Sequence, residues 1–228
     1  MNELALFAGA GGGLLASYIN GWNTIAAIEL DEYCRCVLTQ RQNDGLLRPF
    51  PIWDDIRTFD GRPWRGIVDV ISGGFPCQAF STAAAGRNNA ENLWPEMLRV
   101  ISEVSPKYVF AENVCKNAIN KAADDCESLG YKTKCISLSA SDLGADHIRK
   151  RYWLLAYTDM QSKLFSSKYA EMAKCEEFYS SFWEAYPEES RMDDGVAYRV
   201  DRLKAIGNGQ VPICMAMAFR ILYERSKR

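Results

Sequence analysis

Residues 4–30, LALFAGAGGGLLASYINGWNTIAAIEL, set the architecture. A short apolar run breaks into glycines at 9, 11, 12 and 13, passes into a stretch with helix-like spacing, and returns after Gly21 to a second apolar run that ends on Glu29. Two parallel strands need a connection of a dozen or more residues, usually a helix, so this order reads as strand, glycine turn, crossover helix and strand. The rhythm recurs: DEYCRCVLTQ follows the second run, VDVIS lies at 68–72, KYVFAEN at 107–113 precedes the helix-like CKNAINKAADDCESLG, and RYWLLAY at 151–157 reads as a further strand. Alternating buried strands and helices predict an α/β fold, a doubly wound and mostly parallel sheet.

The totals agree with one domain, or one domain carrying a small insert. A chain of 228 residues can bury roughly 70% of its unfolded surface. No stretch approaches the about 20 apolar residues of a membrane span, and MNELALFAGAGGG carries no basic leader. The expectation is a soluble, cytoplasmic chain with no membrane partner. Eight cysteines show no CxxC pair and His147 is the one imidazole, so a zinc site has little support and no metal is expected. The cysteines read as reduced thiols, most of them small buried hydrophobes. A net charge of −2 argues against a nucleic-acid partner unless the basic residues are gathered on one face.

Beyond residue 140 the pattern changes. Between Met160 and Gly195 four basic residues stand against eight acidic ones, which marks an insert or small subdomain. The tail from Arg199 returns to a glycine-rich turn, with Pro212 opening an apolar helix suited to packing back on the sheet. The expected division is 1–157, 158–196 and 197–228.

Several residues carry chemistry, each with a plainer reading beside it. The glycines of FAGAGGG (7–13) either bring a ligand close to the main chain beside a helix N-terminus or simply make a tight turn. Glu29, about 20 residues further on, either accepts hydrogen bonds from ribose hydroxyls or is a solvated carboxylate at a strand end. Asp55, beside Asp54, could accept from an adenine amino group or serve an ordinary turn. In GGFPCQAFS (73–81), Cys77 follows the apolar VDVIS run, where a thiol is either presented at a strand end or buried and inert. Glu112 ends the KYVF run, where a Glu-Asn pair is a cap or turn in most proteins. Arg149 and Arg151 alternate, so an extended backbone would set both on one face, although basic pairs are more often merely solvated.

Taken together, FAGAGGG, IELD, DDIRTF, GGFPCQAFS, AENV, HIRKR and GNGQVP, in this order over nearly the whole chain, resemble the DNA (cytosine-5) methyltransferases, closest in manner to the short phage or bacterial forms. The resemblance implies a Rossmann-like sheet with a very small target-recognition insert, S-adenosylmethionine as cofactor and double-stranded DNA as partner. It implies Cys77, Glu112, Arg149 and Arg151 as catalytic residues. It assigns Phe7, Ala8, Gly9, Gly11, Glu29, Leu30, Asp55, Ile56, Pro76, Leu93 and Asn208 to the cofactor, and Gln78, Ser81, Arg87, Arg191 and Arg202 to DNA. Leu93 is otherwise an ordinary core leucine and Asn208 an ordinary turn residue. Three positions depart from the family pattern: His147 stands where glutamine is frequent, Asp146 where proline is common, and Ala5 where aspartate is frequent.

The chemistry is consistent with that likeness. Carbon 5 of cytosine is a poor nucleophile until a thiolate adds at carbon 6 and makes the ring enamine-like. A free cysteine has a pKa of about 8.5, so Cys77 needs a site that lowers it or deprotonates it during attack. Glu112, by resemblance, holds ring nitrogen 3 and the exocyclic amino group. A base within a duplex must be rotated out of the stack, at a few kcal/mol, and by resemblance the reader is 158–196. Its aromatics, among them Phe165, Tyr169, Phe178 and Trp183, suit a small core of their own, which leaves phosphate contacts to Arg87, Arg149, Arg151, Arg191, Arg199, Arg202 and Lys204. The expected molecule is a monomer, with room for a partner that completes DNA recognition. An RNA cytosine-5 methyltransferase, or a silent binding protein on the same fold, would use much of the same sequence.

Overall fold

The computed structural model describes residues 1–76, 91–158 and 199–227. Strand β1 (Asn2–Leu6) runs through the glycine turn into helix α1 (Gly12–Ile19) and then β2 (Asn23–Ile28), the unit read from residues 4–30. Helix α2 (Glu32–Asn43), β3 (Ile52–Trp53), β4 (Val70–Gly74), α3 (Trp94–Val104), β5 (Tyr108–Asn113), α4 (Lys116–Ser128), β6 (Lys132–Leu138), β7 (Arg151–Tyr157), α5 (Arg199–Asn208) and α6 (Pro212–Ser226) follow.

The seven strands form one mixed sheet in the order β3-β2-β1-β4-β5-β7-β6. β1 pairs in parallel with β2 and β4, and β4 in parallel with β5. β7 runs antiparallel to both its neighbours. The chain winds outward from β1 to β3, then returns to lay β4 on the other side of β1. The strand order therefore reverses between β1 and β4, and in open α/β sheets ligands bind at the carboxyl ends beside such a reversal.

Both faces of the sheet are covered, as parallel strands require. On one face Leu4, Ile71, Val109 and Leu154 pack with α3 and α4. Trp94, Met97, Ile101 and Val104 recur at helical spacing and give α3 its buried stripe. On the other face Val70, Phe110, Trp153 and Leu155 meet α6, whose Phe219 lies edge-on to Phe110 with centroids 5.3 Å apart. α1 packs on that side too, against α6.

An ionisable group is buried at the opposite edge from the strand carboxyl ends. Glu3, fully buried in β1, accepts hydrogen bonds of 2.6 Å from the hydroxyls of Ser17, Thr24 and Ser72. Burial pushes its carboxyl above the ordinary 4.5, against the pull of those three donors. A carboxyl whose folded pKa is raised stabilises the fold fully below its unfolded pKa, and that contribution is lost as pH rises through the folded value. The stability of Glu3→Gln relative to the native chain should therefore improve on going from pH 5 to pH 8. Thermal midpoints of both proteins across that range test it, and a pH-independent difference would exclude the burial argument.

Candidate active site

The carboxyl ends of β1, β2, β4 and β5, with the start of β7, converge on one edge. After β1 the backbone turns through Phe7 and Gly9, with φ of 54° and 55°, and Gly11, with φ of 93°. Such positive values are strained for side chains other than glycine. The Gly9 N–H donates to Glu29 Oε2 at 2.6 Å, and the Asp31 N–H to Glu29 Oε1 at 2.8 Å. Ala8 N–H bonds the Ile28 carbonyl at 3.1 Å, so the turn is sewn to the end of β2. Burial raises the pKa of Glu29, opposed by these backbone donors.

This corner fits a nucleoside-type ligand. A carboxylate offers about four acceptor positions, and the two backbone donors leave capacity for hydroxyl groups. A Cβ built on Gly9 meets nothing within 4 Å, so the space before the loop is open. Leu30, 55% exposed, and Trp53, 48% exposed, offer apolar surface beside Glu29, whose N–H bonds the Trp53 carbonyl at 2.9 Å. Trp53 was not among the residues expected from the motifs; its signal was an aromatic directly before the DDIRTF stretch.

Ile56 is buried, and Asp55 is already engaged. The Asp55 carboxylate caps the following turn through the Arg57 N–H at 3.0 Å and pairs with the Arg57 guanidinium at 2.8 Å. A ligand amino group would share it with that arginine.

β4 ends at the reversal in two glycines with little space for a side chain. A Cβ on Gly73 would lie 2.8 Å from the Leu6 carbonyl oxygen, and one on Gly74 would lie 2.6 Å from Glu112 Oε2. Beyond them the chain is held at two points: Asn113 Nδ2 donates to the Phe75 carbonyl at 2.9 Å, and the Leu93 N–H to the Pro76 carbonyl at 3.4 Å. Leu93 packs in the core and anchors Pro76 through its backbone. Cys77 follows Pro76 directly in the chain but lies outside the described residues, as do Gln78, Ser81, Arg87 and Arg191 and the side chain of Arg202.

Strand alternation divides the work of Glu112 and Asn113. Asn113 shares the face of Val109 and Ala111 and reaches Phe75. Glu112 shares the face of Phe110, pairs in register with Gly74 and is 8% exposed. Its Oε1 meets Arg151 Nε at 2.9 Å, and Gln210 Nε2 donates to its Oε2 at 3.5 Å. Burial raises the Glu112 pKa, and Arg151, Gln210 and Arg149 pull it back.

The antiparallel direction of β7 brings the arginines here, because its first residue lies beside the last residues of β5. Arg151 meets Glu112. Arg149, just before β7, donates to the carbonyls of Gly207 at 2.8 Å and Gly209 at 2.7 Å. The two arginines thus share a corner, but these contacts are with protein groups rather than left open towards a phosphate. Lys204, expected to face phosphate, pairs with Asp31 at 2.6 Å and ties α5 to the start of α2.

From the GNGQVP stretch, Asn208 ends α5 with its side chain exposed, whereas Gln210, which the motif reading passed over, enters the site. A Cβ on Gly12 would lie 2.3 Å from the Gln210 carbonyl oxygen. Gly12→Ala is therefore expected to lose about 1–3 kcal/mol of stability through overpacking, read from the urea midpoint at unchanged slope. A loss below about 0.5 kcal/mol, the range of an ordinary surface change, would mean that the loop moves aside freely. Among the described residues no group of three or more His, Cys, Asp or Glu could hold a metal ion, and no helix is long and apolar enough to cross a membrane.

Comparison with known proteins bears on this edge. A family model described as C-5 cytosine-specific DNA methylase matches residues 1–204. The chain is 30% identical over 173 residues to the type II methyltransferase M.NgoMIV of Neisseria gonorrhoeae, covering 72% of this chain and 54% of that protein. It is 33% identical over 177 residues to M1.HphI of Haemophilus parahaemolyticus, covering 70% and 46% respectively. The chain thus spans about half the length of the curated relatives it matches. In fold it is similar to the crystal structure of S. pombe Dnmt2 methyltransferase, with a TM-score of 0.55 at 22% identity over 72% of this chain and 51% of that one.

Proposed function

Since the chain belongs to the C-5 cytosine-specific DNA methylase family, we propose that it methylates carbon 5 of cytosine in duplex DNA through a covalent adduct of Cys77 with carbon 6. The observation that carries this reading is the placement of Glu112. A buried carboxyl with a raised pKa closes β5, beside the Gly74 end of the strand that leads through an anchored Pro76 to Cys77.

In this mechanism the Cys77 thiolate adds to carbon 6 of a cytosine rotated out of the duplex. Glu112, whose carboxyl burial holds above its ordinary pKa against the pull of Arg151, gives in its protonated form a hydrogen bond or proton to ring nitrogen 3 as electron density moves into the ring. Arg151 holds the same carboxyl by one oxygen and keeps it aimed at the base. When bound, S-adenosylmethionine would supply a sulfonium-activated methyl group as the electrophile for carbon 5, its sulfur departing as the neutral thioether. Loss of the carbon 5 proton to a base then expels the Cys77 thiolate, ring nitrogen 3 returns any proton it took to Glu112, and the aromatic ring is restored.

Glu29, the turn through Phe7, Ala8, Gly9 and Gly11, Leu30, Ile56 and Trp53 would hold the cofactor, with Asp55 sharing its carboxylate with Arg57. Pro76 and Leu93 would set the entry to the Cys77 loop, and Asn208 would lie at the outer rim. The reader of DNA sequence would be 158–196, between a catalytic part at 1–157 and a C-terminal part at 197–228. Gln78, Ser81, Arg87, Arg191 and Arg202 would meet DNA.

The test is trapping. The chain is mixed with S-adenosylmethionine and duplex DNA containing 5-fluorocytosine, in which carbon 5 bears no removable proton. A denaturation-resistant protein–DNA adduct is expected, and its mapped position gives the target. Cofactor binding without an adduct, with methyl incorporation into transfer RNA instead, would move the assignment to RNA.

A further inference from the structure

The loop between α5 and α6 crosses the carboxyl edge of the sheet and lies against the glycine turn after β1, the end of β4 and the end of β5. Its position is held from below, where Arg149 binds the carbonyls of Gly207 and Gly209 on the approach to Gln210. Gln210 itself fills a slot lined by glycine. A Cβ would lie 2.3 Å from its carbonyl oxygen if built on Gly12, 2.6 Å from its Oε1 if built on Gly13, and 3.0 Å from its Nε2 if built on Gly74. Three positions on two elements thus leave room for this one residue. The amide then faces Glu112, with Nε2 3.5 Å from Oε2.

We propose that Gln210 is a positioning residue for the reaction, fixing the Glu112 carboxyl and linking it to the glycine turn of the cofactor corner. This rests on the reading that Glu112 acts on the base. Arg151 takes Oε1 and the amide takes Oε2, so the carboxyl is held at both oxygens and its plane is set. Among the described residues, the charged and titratable groups facing Glu112 are Arg151 on β7, Arg149 before it, and the Cys214 thiol on α6, which lines the same small pocket. Gln210 adds a donor without adding charge. A lysine or arginine in its place would add to the pull of Arg151 towards the carboxylate, whereas a neutral amide orients the group with a weaker pull against burial.

The experiment measures methyl transfer from labelled S-adenosylmethionine to unmethylated duplex DNA across pH, with the full chain, Gln210→Ala, Gln210→Glu and the reference Glu112→Gln. Cofactor affinity is measured separately by calorimetry. Gln210→Ala should lower kcat by about tenfold to hundredfold, the scale of a misplaced catalytic group, with cofactor affinity kept. Its alkaline limb should move to higher pH, because the donor that favoured the carboxylate is gone. Gln210→Glu is nearly isosteric, so it serves if the alanine variant folds poorly; a second carboxylate there should move the limb the same way. An unchanged limb in both variants, or a loss confined to cofactor affinity, would overturn the proposal. Full activity in Glu112→Gln would instead overturn the assignment of Glu112, and this inference with it, so the two failures are told apart.

Discussion

Cys77→Ala is expected to remove methyl transfer and the 5-fluorocytosine adduct together. Loss of the nucleophile in a covalent enzyme lowers kcat by about 10⁶-fold, which puts the variant below detection in an ordinary incorporation assay. Three other thiols make poor substitutes. Burial pushes the Cys34, Cys126 and Cys214 thiols up to about 12, so they are poor sources of thiolate at neutral pH. Binding of S-adenosylmethionine should persist, since Glu29 and the glycine turn belong to other strand ends. An adduct of undiminished yield in Cys77→Ala would reassign the nucleophile.

Glu112→Gln carries the second large effect. An amide of the same shape can still accept from Arg151 Nε, so the fold should survive, but it cannot deliver a proton to ring nitrogen 3. A fall in kcat of about 10²–10⁴-fold is expected, the usual contribution of a positioned general acid, with cofactor affinity little changed. On the proposed mechanism the active form is the protonated one, so activity should fall as pH rises through the Glu112 pKa, which burial places above the ordinary 4.5. A native profile flat across the alkaline side, with a variant equal to it, would remove Glu112 from the chemistry.

Much of the frame could be read along the chain because its signals are local. Apolar runs of strand length, Gly9 and Gly11 in a turn that needs positive φ, and Glu29 at the next strand end all report on their own few residues. Glu112 was legible in the same way, as a carboxylate closing an apolar run. Asp55 shows the limit of such reading. Its position at a strand end suggested an open acceptor, but Arg57 two residues on takes the carboxylate, a local competition that the motif does not display.

The sequence by itself therefore determined which residues end strands, and so which could face the ligand edge of an α/β sheet. Tertiary structure alone decided what those residues touch there. The antiparallel direction of β7 delivers Arg151 to Glu112, and the return of α5 and α6 carries Gln210 into the slot left by Gly12, Gly13 and Gly74. Both contacts join segments far apart in the chain, Glu112 and Gln210 being separated by 98 positions. The physical reason is that hydrophobic period and turn propensity act over a few residues, whereas strand order and direction come from how the two buried faces of the sheet are covered.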